Sequence, residues 1–287
     1  MEKTSPQILQ EVYKPRPPEV HKYDYGLLLI IGGSEFYSGS PALSAFAAFK
    51  SGVDMIQIIA PKRAADIIAS FSPVLSAYPL NNERLTKKDL PTILAMTKSA
   101  QAVAKNKVAV LIGGGLGRSE ETQQTILEYL SQVSVPLIID ADAIHAVAKD
   151  PKVIAGKNVL ITPHLYEFFV LTGKEVRDAN QNTREKLVLE EAKKLGATIL
   201  LKGGIDTISD GYKVVLNETG SPYMSVGGTG DTLAGICGSL VAQGIEPFLA
   251  AQAAAYINGK AGEIAANDLK MSLTATDVIN AISKVIN

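Results

Sequence analysis

The segment from residue 225 to residue 235 combines an anion-binding backbone with an acidic side chain; it reads Ser-Val-Gly-Gly-Thr-Gly-Asp-Thr-Leu-Ala-Gly. This glycine-rich loop runs into an apolar helical pattern. The first amides of a helix have no partner inside the helix, and the helix dipole adds positive potential. Gly227, Gly228 and Gly230 lack Cβ, so these amides can approach an anion closely, which predicts a phosphate site.

Asp231 follows directly in the same loop. A carboxylate beside a phosphate is repulsive, so we expect it to have a compensating role. One such role is a general base that takes a proton from a hydroxyl next to the phosphate. The alternative is that Asp231 or Thr229 simply caps the helix, and the sequence leaves both interpretations open.

A lysine and a histidine follow two of the apolar runs elsewhere in the chain. Lys202 could neutralise phosphate charge, with Gly203 and Gly204 admitting a nucleotide close to the backbone; an ordinary strand end before a turn is the alternative. His164 could hydrogen-bond a ligand or stack on a ring. Its alternative is a histidine that pairs locally at a helix start, with Pro163 at the first helical position.

Two aspartates, Asp140 and Asp142, end the run PLII. Two carboxylates at a strand end could hold Mg²⁺, directly or through water. The alternative is one capping aspartate and one solvated aspartate.

Two further loops are rich in small residues. Residues 37–41, Tyr-Ser-Gly-Ser-Pro, precede a helical pattern, where they either admit a ligand or form a capped helix start. Residues 113–117, Gly-Gly-Gly-Leu-Gly, follow the run VAVLI, where open α/β sheets bind ligands. Arg118 stands where a dinucleotide fingerprint would have its third glycine, so a tight turn capped by Ser119 is the alternative. No Walker A loop and no Gly-x-Ser-x-Gly motif occurs in the sequence.

The elements that position these loops form an α/β pattern. Continuous apolar runs separated by helical patterns indicate strands covered on both faces of a mostly parallel sheet. A hairpin is predicted at Asp210-Gly211. Helices are predicted over 229–243, 246–266 and 275–285, the last with a capping box. We expect one domain over residues 1–287, with 81–89 as a solvated loop and helix start. The predicted strands lie near residues 27, 55, 108, 136, 158 and 198.

Composition excludes several classes. The 287 residues carry 28 basic and 29 acidic side chains without a long basic run, which argues against a nucleic-acid partner. Cys237 is the single cysteine, so no internal disulfide or cysteine-zinc cluster is possible, and we expect a cytoplasmic protein. The N-terminus has no apolar h-region, so no signal peptide is expected. Polar residues interrupt the apolar stretch 232–257, which predicts two buried helices and no membrane span.

Six motifs, taken in order, closely resemble the ADP/ATP-dependent NAD(P)H-hydrate dehydratases of the ribokinase-like fold: YSGSPALSA, GGGLG, IDADAIHAV, TPHLYEF, LKGGIDT and GGTGDTLAG. The resemblance covers roughly residues 25–265. It implies dehydration of the S-epimer of hydrated NADH or NADPH, driven by ADP or ATP with Mg²⁺. It also implies a homo-oligomer, a tetramer by family habit, and a functional partnership with an NAD(P)H-hydrate epimerase, expected as a separate chain or absent.

The resemblance also implies roles for individual residues. Asp231 would be the base toward the ring hydroxyl and would contact the hydrate. The other hydrate-lining positions are Ser40, Ala42, Gly117 and His164. The adenine nucleotide would be lined by Lys202, Gly203, Gly204, Ile205, Asp206, Gly228, Thr229 and Gly230.

The chain departs from the family pattern at three places. Gly114 replaces the proline of the usual GPGLG, and Leu165 and Tyr166 replace Pro-Gly in the usual TPHPGE. In the nucleotide segment KGGID, the family often has a small residue and threonine in place of its last residues.

The sequence leaves two rival functions open. A ribokinase-like small-molecule kinase, of the hydroxyethylthiazole or hydroxymethylpyrimidine kinase type, would share the anion loop and Asp231. An idle nucleotide-binding regulator is the second rival, and retention of Asp231 argues against it.

Overall fold

The computed structural model describes residues 2–287. Within them the strands are β1 (Glu2–Lys3), β2 (Leu27–Ile31), β3 (Met55–Pro61), β4 (Ala77–Leu80), β5 (Val108–Ile112), β6 (Leu137–Ile139), β7 (Val159–Ile161), β8 (Thr198–Leu201), β9 (Asp206–Ser209) and β10 (Val214–Asn217). The α-helices are α1 (Gln7–Val12), α2 (Gly39–Lys50), α3 (Lys62–Phe71), α4 (Leu90–Val103), α5 (Glu120–Gln132), α6 (Asp142–Val147), α7 (Leu165–Thr172), α8 (Gln181–Leu195), α9 (Thr229–Ala242), α10 (Pro247–Leu269) and α11 (Ala275–Ile286).

The strands form one ten-stranded sheet in the order β1-β10-β9-β8-β7-β6-β5-β2-β3-β4. Strand β9 is antiparallel to both of its neighbours, β8 and β10, and every other pairing in this sheet is parallel. Strands β9 and β10 form the hairpin predicted at Asp210-Gly211. The predicted fold class, a mostly parallel α/β sheet, is therefore confirmed.

Helices cover both faces of the sheet because successive strand residues point to opposite faces. In β2, Leu28 and Ile30 pack into a core that includes residues of α2, α9, α10 and α11. Leu27, Leu29 and Ile31 pack into a second core with residues of α4, α5 and α6. A third cluster, from α7, α8 and β8, includes Phe168, Val188 and Ile199. Burial on both faces explains why these strands are continuously apolar.

All six predicted strands are present, as are the three predicted C-terminal helices and the capping box between Thr274 and Asp277. The prediction of a solvated segment over 81–89 is wrong at its end. Asp89 is 6% exposed, and its carboxylate accepts hydrogen bonds from Asn82 and Thr86. Within residues 2–287, no helix is long and apolar enough to cross a membrane.

The sheet brings the predicted site loops to one edge. Strands β2, β5, β6, β7 and β8 run parallel in adjacent positions, so their carboxyl ends lie on the same side of the sheet. The loops after these five strands carry the small residues after β2, the glycine loop after β5, the aspartates after β6, His164 after β7 and Lys202 after β8. Helix α9 packs on β2, β5 and β6, and its first turn lies beside the same edge, because Asp231 contacts Ser40 and Gly230 adjoins Lys202.

Candidate active site

The first turn of α9 is free of side-chain caps. Gly228 occupies the N-cap position with φ of 97°, a left-handed conformation that suits glycine, and no side chain accepts a cap hydrogen bond there. Thr229 Oγ1 instead donates to the carbonyl oxygens of Met224 and Val226. The loop before the helix is exposed and the first turn is partly exposed. The capping interpretation of Asp231 and Thr229 is therefore wrong, and the first helical amides remain accessible to an anion.

The Asp231 carboxylate points away from its own helix amides and toward α2. Its Oδ1 accepts a hydrogen bond from Ser40 Oγ, and its backbone carbonyl accepts one from Ser44 Oγ at 3.0 Å. Burial, and secondarily the nearby negative charge of Asp140, raise the pKa of Asp231 to about 6. A carboxyl group with this pKa is a stronger base than an ordinary aspartate and is still mostly ionised near neutral pH.

Lys202 forms the centre of a charged cluster below the loop. Its Nζ lies 3.1 Å from Asp140 Oδ1 and 3.8 Å from Glu167 Oε2. A Cβ at position 230 would lie 3.5 Å from the same ammonium group, so Lys202 directly adjoins the anion loop. Burial lowers the pKa of Lys202, but Asp140 and Glu167 together raise it further, and the net pKa lies above its usual range. The lysine is therefore a permanent positive charge beside the predicted phosphate site.

The two candidate metal ligands point in different directions. The Asp140 carboxylate accepts hydrogen bonds from Thr162 Oγ1 at 2.7 Å and from Lys202 Nζ. Asp142 accepts from the Gly117 amide at 2.8 Å and from Arg118 Nε at 2.7 Å. Between them, Ala141 has φ of 49°, a strained conformation for a residue with a side chain, and this turn separates the two carboxylates. Both carboxylates already accept hydrogen bonds from protein groups, so they do not form a preformed Mg²⁺ site. Residues 2–287 also contain no cluster of three or more acidic, histidine or cysteine side chains suited to a metal.

A cleft of about 500 Å³ lies on one side of Gly230. Six of the eight predicted nucleotide residues line it, and Ile205 and Gly228 do not. The sequence did not predict the ten other lining residues, which come from the loop after β10, from α10 and, for Leu233, from α9. The predicted residues that line the cleft are Lys202, Gly203, Gly204, Asp206, Thr229 and Gly230. The added residues are Thr219, Gly220, Ser221, Pro222, Met224, Ser225, Leu233, Ala255, Asn258 and Gly259.

Asn258 is the one added residue with a detectable signal in the sequence, since it is a polar side chain within an apolar helix. It is 7% exposed, and its Oδ1 accepts from Thr232 Oγ1 at 2.7 Å. This contact ties α10 to the first turn of α9. Of the other added residues, Leu233 is an apolar residue of α9, Ala255 and Gly259 are small residues of α10, and the rest lie on the loop after β10. Nothing in their local pattern predicts ligand contact.

Asp206 lines the cleft and accepts hydrogen bonds from two other parts of the chain. One carboxylate oxygen accepts from the Gly203 amide at 3.0 Å, and the other accepts from Asn217 Nδ2 at 3.0 Å. Burial raises the pKa of Asp206 to about 6, although these hydrogen bonds and Lys202 act against that increase. The carboxylate thus holds the loop between β8 and β9.

The glycine loop after β5 packs tightly against the site. Gly113 has φ of 137°, and a Cβ there would overlap the backbone carbonyl of Asp140. Gly117 has φ of 79°, and its amide is held by Asp142. The tight-turn interpretation is therefore correct in its geometry, and Ser119 caps α5 as predicted. The turn also brings the loop to the Asp231 side of the site, because a Cβ on Gly114 would lie 3.3 Å from Asp231 Oδ1.

His164 is the N-cap residue of α7. Its Nδ1 accepts a hydrogen bond from the Glu167 backbone N–H at 3.1 Å, and the Glu167 carboxylate accepts one from the His164 backbone N–H at 2.9 Å. The two bonds form a reciprocal capping box. Pro163 precedes the cap, so its predicted place at the first helical position is wrong. The His164 side chain is 50% exposed, and the Tyr166 ring lies beside it with 6.4 Å between centroids. Local pairing therefore leaves half of the imidazole free for a ligand.

The structure thus gathers most of the predicted residues around the first turn of α9. Ser40 contacts Asp231 directly, whereas His164 is connected to Lys202 through Glu167. Ala42 is 3% exposed and packs in the core. Its contact with a hydrate stays a prediction.

Comparisons with known proteins agree with this geometry. Residues 28–284 match the family described as NAD(P)H-hydrate dehydratase. An ADP-dependent (S)-NAD(P)H-hydrate dehydratase of Nitrosopumilus maritimus is 36% identical over 97% of this chain and 94% of its own length. A bifunctional NAD(P)H-hydrate repair enzyme of Pyrobaculum aerophilum is 40% identical over 94% of this chain and 52% of its own length. The chain thus spans about half the length of the bifunctional relatives it matches.

Solved structures give the same result. A ribokinase-like superfamily protein from Enterococcus faecalis superposes with a TM-score of 0.83 at 26% identity, covering 99% of this chain and 95% of that one. The ADP/ATP-dependent NAD(P)H-hydrate dehydratase from Bacillus subtilis, co-crystallised with ATP/Mg²⁺, superposes with a TM-score of 0.82 at 25% identity, covering 99% and 97%. The predicted ribokinase-like fold and the predicted family are both confirmed: this chain belongs to the NAD(P)H-hydrate dehydratase family.

Proposed function

We propose that this chain dehydrates the S-epimer of hydrated NADH or NADPH at the expense of a nucleotide phosphoryl group, and so restores the reduced dinucleotide. The single observation that carries the proposal is the position of Asp231. This partly buried carboxylate directly follows Gly230, which lines the cleft of about 500 Å³, and it accepts a hydrogen bond from Ser40 rather than from its own helix. A base is thus adjacent to a phosphate-binding helix start without capping it.

The chemistry begins with a nucleotide in the cleft, its terminal phosphate at the amides of the α9 start and at Lys202. Asp231 takes the proton of the hydroxyl on the hydrated ring, and that oxygen attacks the terminal phosphorus. The bond between the phosphorus and the nucleotide's bridging oxygen breaks as the new bond forms. Loop amides and the Lys202 ammonium group stabilise the charge on the transferring group.

The second step eliminates the phosphate. Phosphorylation converts a poor leaving group, hydroxide, into a good one. The carbon–oxygen bond breaks, a proton leaves the neighbouring ring carbon, and the ring double bond returns. The products from ADP are then AMP, inorganic phosphate and the repaired dinucleotide. We propose ADP as the donor because the N. maritimus relative is ADP-dependent by name, and its 36% identity extends over nearly the whole chain.

The remaining expectations belong to the same proposal. Mg²⁺ bound to the nucleotide phosphates would neutralise part of their charge, since this ion is commonly held by phosphates and only one or two carboxylates. An epimerase activity is the natural partner, as the bifunctional relatives suggest. A cytoplasmic location and a homotetramer stay predictions.

The direct test incubates the purified chain with hydrated NADH and either ADP or ATP and follows the return of NADH absorbance. Recovery of absorbance with release of inorganic phosphate supports the proposal. A kinase would instead accumulate a phosphorylated product, and an idle regulator would bind nucleotide without turnover. Either of these two results would refute the dehydratase reaction for this chain.

The pH dependence of turnover follows from Asp231. Its pKa is raised to about 6, and only the ionised form accepts a proton. We therefore expect kcat/KM to fall as pH decreases through about 6 and to be level above it. Since the Asp206 pKa is also raised to about 6, nucleotide affinity is measured separately over the same range. A kcat/KM that stays constant between pH 5 and pH 7 would contradict the assignment.

Substitution of His164 should separate the two substrates. In His164→Ala, we expect the KM for the hydrate to rise about tenfold, because a hydrogen bond or ring contact to the hydrate is lost. The affinity for ADP should stay unchanged. His164→Asn is the matched control for helix stability, because asparagine also caps helices. Isothermal titration with ADP and steady-state kinetics with the hydrate provide both values. A loss confined to ADP affinity would contradict the placement.

A further inference from the structure

We propose that Ser40 is a positioning residue for Asp231, and that Gly114 provides the space in which the two side chains meet. The inference rests on the proposed function, in which Asp231 is the base. It gives Ser40 a role that differs from lining the hydrate: the hydroxyl acts on the substrate only through the carboxylate that it holds.

The contact is built between two closely packed helices. Ser40 lies in the first turn of α2, is 2% exposed, and donates from Oγ to Asp231 Oδ1. One turn later, Ser44 donates to the Asp231 backbone carbonyl at 3.0 Å. The helices nearly touch, because a Cβ on Gly235 would overlap the Ser44 carbonyl. Ser40 therefore approaches Asp231 from a fixed direction.

The glycine loop after β5 controls the space around this hydroxyl. A Cβ on Gly114 would overlap Ser40 Oγ and would also lie 3.3 Å from Asp231 Oδ1. Gly114 has no positive φ, so its role is to leave space and not to adopt a left-handed conformation. The related family usually has proline here, and proline carries a Cβ. The serine–aspartate contact with this geometry thus requires the residue by which this chain differs from the family pattern.

The electrostatic surroundings explain what the hydroxyl contributes. Asp140 at the end of β6 and Glu167 on α7 raise the pKa of Asp231, in addition to its burial. The hydrogen bond from Ser40 and the positive charge of Lys202 at the end of β8 lower it. Ser40 is therefore one of two groups that keep the carboxylate ionised in a buried, negatively charged setting, and it also fixes which oxygen remains free to accept a proton.

Ser40→Ala tests the role. We expect the acid limb of the kcat/KM profile to move up by about one pH unit, because a hydrogen bond to the ionised carboxylate is lost. Well below pH 6, kcat/KM should fall about tenfold, in line with that shift, whereas near pH 7 it should fall only about twofold, and ADP affinity should stay the same. Ser44→Ala is the matched control: it removes a hydroxyl from the same helix but leaves the carboxylate bonded, so the acid limb should not move.

Gly114→Ala tests whether the missing Cβ at position 114 leaves room for Ser40 Oγ beside Asp231. Alone, it should shift the acid limb in the same direction as Ser40→Ala, because the added Cβ displaces the hydroxyl. In the Ser40→Ala background it should add little further shift, since both changes act on one contact. A wild-type acid limb in Ser40→Ala, or independent and fully additive shifts in the double variant, would overturn the proposal.

A direct titration separates this inference from the proposed function. Carbon-13 NMR of protein labelled at aspartate carboxyl groups follows Asp231, whose signal is identified by its absence in Asp231→Asn. The Asp231 signal should titrate at higher pH in Ser40→Ala than in the wild type. If the wild type fails to repair hydrated NADH, the proposed function fails, and this titration still decides whether Ser40 acts on Asp231. An unchanged titration would refute the positioning role even in an active enzyme.

Discussion

Asp231→Asn should lower kcat for hydrate repair by about a hundredfold or more, the usual contribution of a general base. Asparagine keeps the shape of the side chain and can still accept the hydrogen bond from Ser40, but it cannot take a proton. Nucleotide affinity should be kept or slightly increased, because a negative charge beside the phosphate site disappears. Stopped-flow absorbance and calorimetric titration with ADP measure the two quantities.

The control for this variant is Asp210→Asn. Asp210 accepts the amides of Tyr212 and Lys213 in the β9–β10 turn, outside the residues that line the cleft. Its substitution should leave kcat within about twofold, as expected for a surface change. Near-normal turnover of Asp231→Asn would remove the base from the mechanism and leave the α9 start as a phosphate site only.

The sheet was largely predictable because burial on both faces gives a strong pattern. Strands such as β2 and β5 are fully buried along their length, and each appears in the sequence as a continuous apolar run. The two strands that escaped prediction lie at the sheet edges. Strand β4 contains the exposed residues Tyr78 and Pro79, and β1 is the exposed pair Glu2–Lys3. A strand with one neighbour and little buried surface has no apolar run to indicate it.

The location of the site at the carboxyl edge of the sheet was predictable, but the contacts between its side chains were not. Parallel strands end at one edge, so polar residues at their carboxyl ends must lie near one another. Sequence spacing gives no information about which side chains meet across that edge. Ser40 and Asp231 are 191 positions apart, and Lys202 and Asp140 are 62 positions apart. Whether Asp231 capped its helix was likewise open until the direction of its carboxylate was known.

The charged cluster around Lys202 explains how the chain keeps several acids beside the proposed phosphate site. Asp140, Glu167 and Asp231 would repel both one another and the phosphate if no cation were present. Lys202 offsets that repulsion in the free protein, and it lies beside Gly230, where we propose that it also contacts the nucleotide. One side chain therefore links the stability of the sheet edge to substrate binding.

Lys202→Met should consequently affect stability and binding together. Removal of one partner from a buried ion pair leaves Asp140 and Glu167 without a counter-charge, which lowers the free energy of unfolding by about 3 kcal/mol. ADP affinity should fall at least about tenfold, since a charge-assisted contact to phosphate is lost. Denaturant unfolding and ADP titration measure these effects. Lys186→Met is the control, because its exposed pair with Glu190, at 4.0 Å, should contribute under about 0.5 kcal/mol.

The loss of stability in Lys202→Met should depend on pH, and the direction of this dependence follows from the charges in the cluster. The pKa of Lys202 is raised above its ordinary value, so its stabilisation is complete below that ordinary value and is lost only in strongly alkaline solution. Burial already raises the pKa of Glu167, and in Lys202→Met the lowering effect of the lysine charge on this pKa is lost. Glu167 then binds a proton more readily than in the unfolded chain, so the deficit should shrink as pH falls below neutrality. Asp140→Asn combined with Lys202→Met should regain part of the stability but none of the ADP affinity. A double variant that regained both would show that Lys202 contributes to binding only by keeping the site folded, whereas continued weak binding in a stable protein identifies a direct contact with the phosphate.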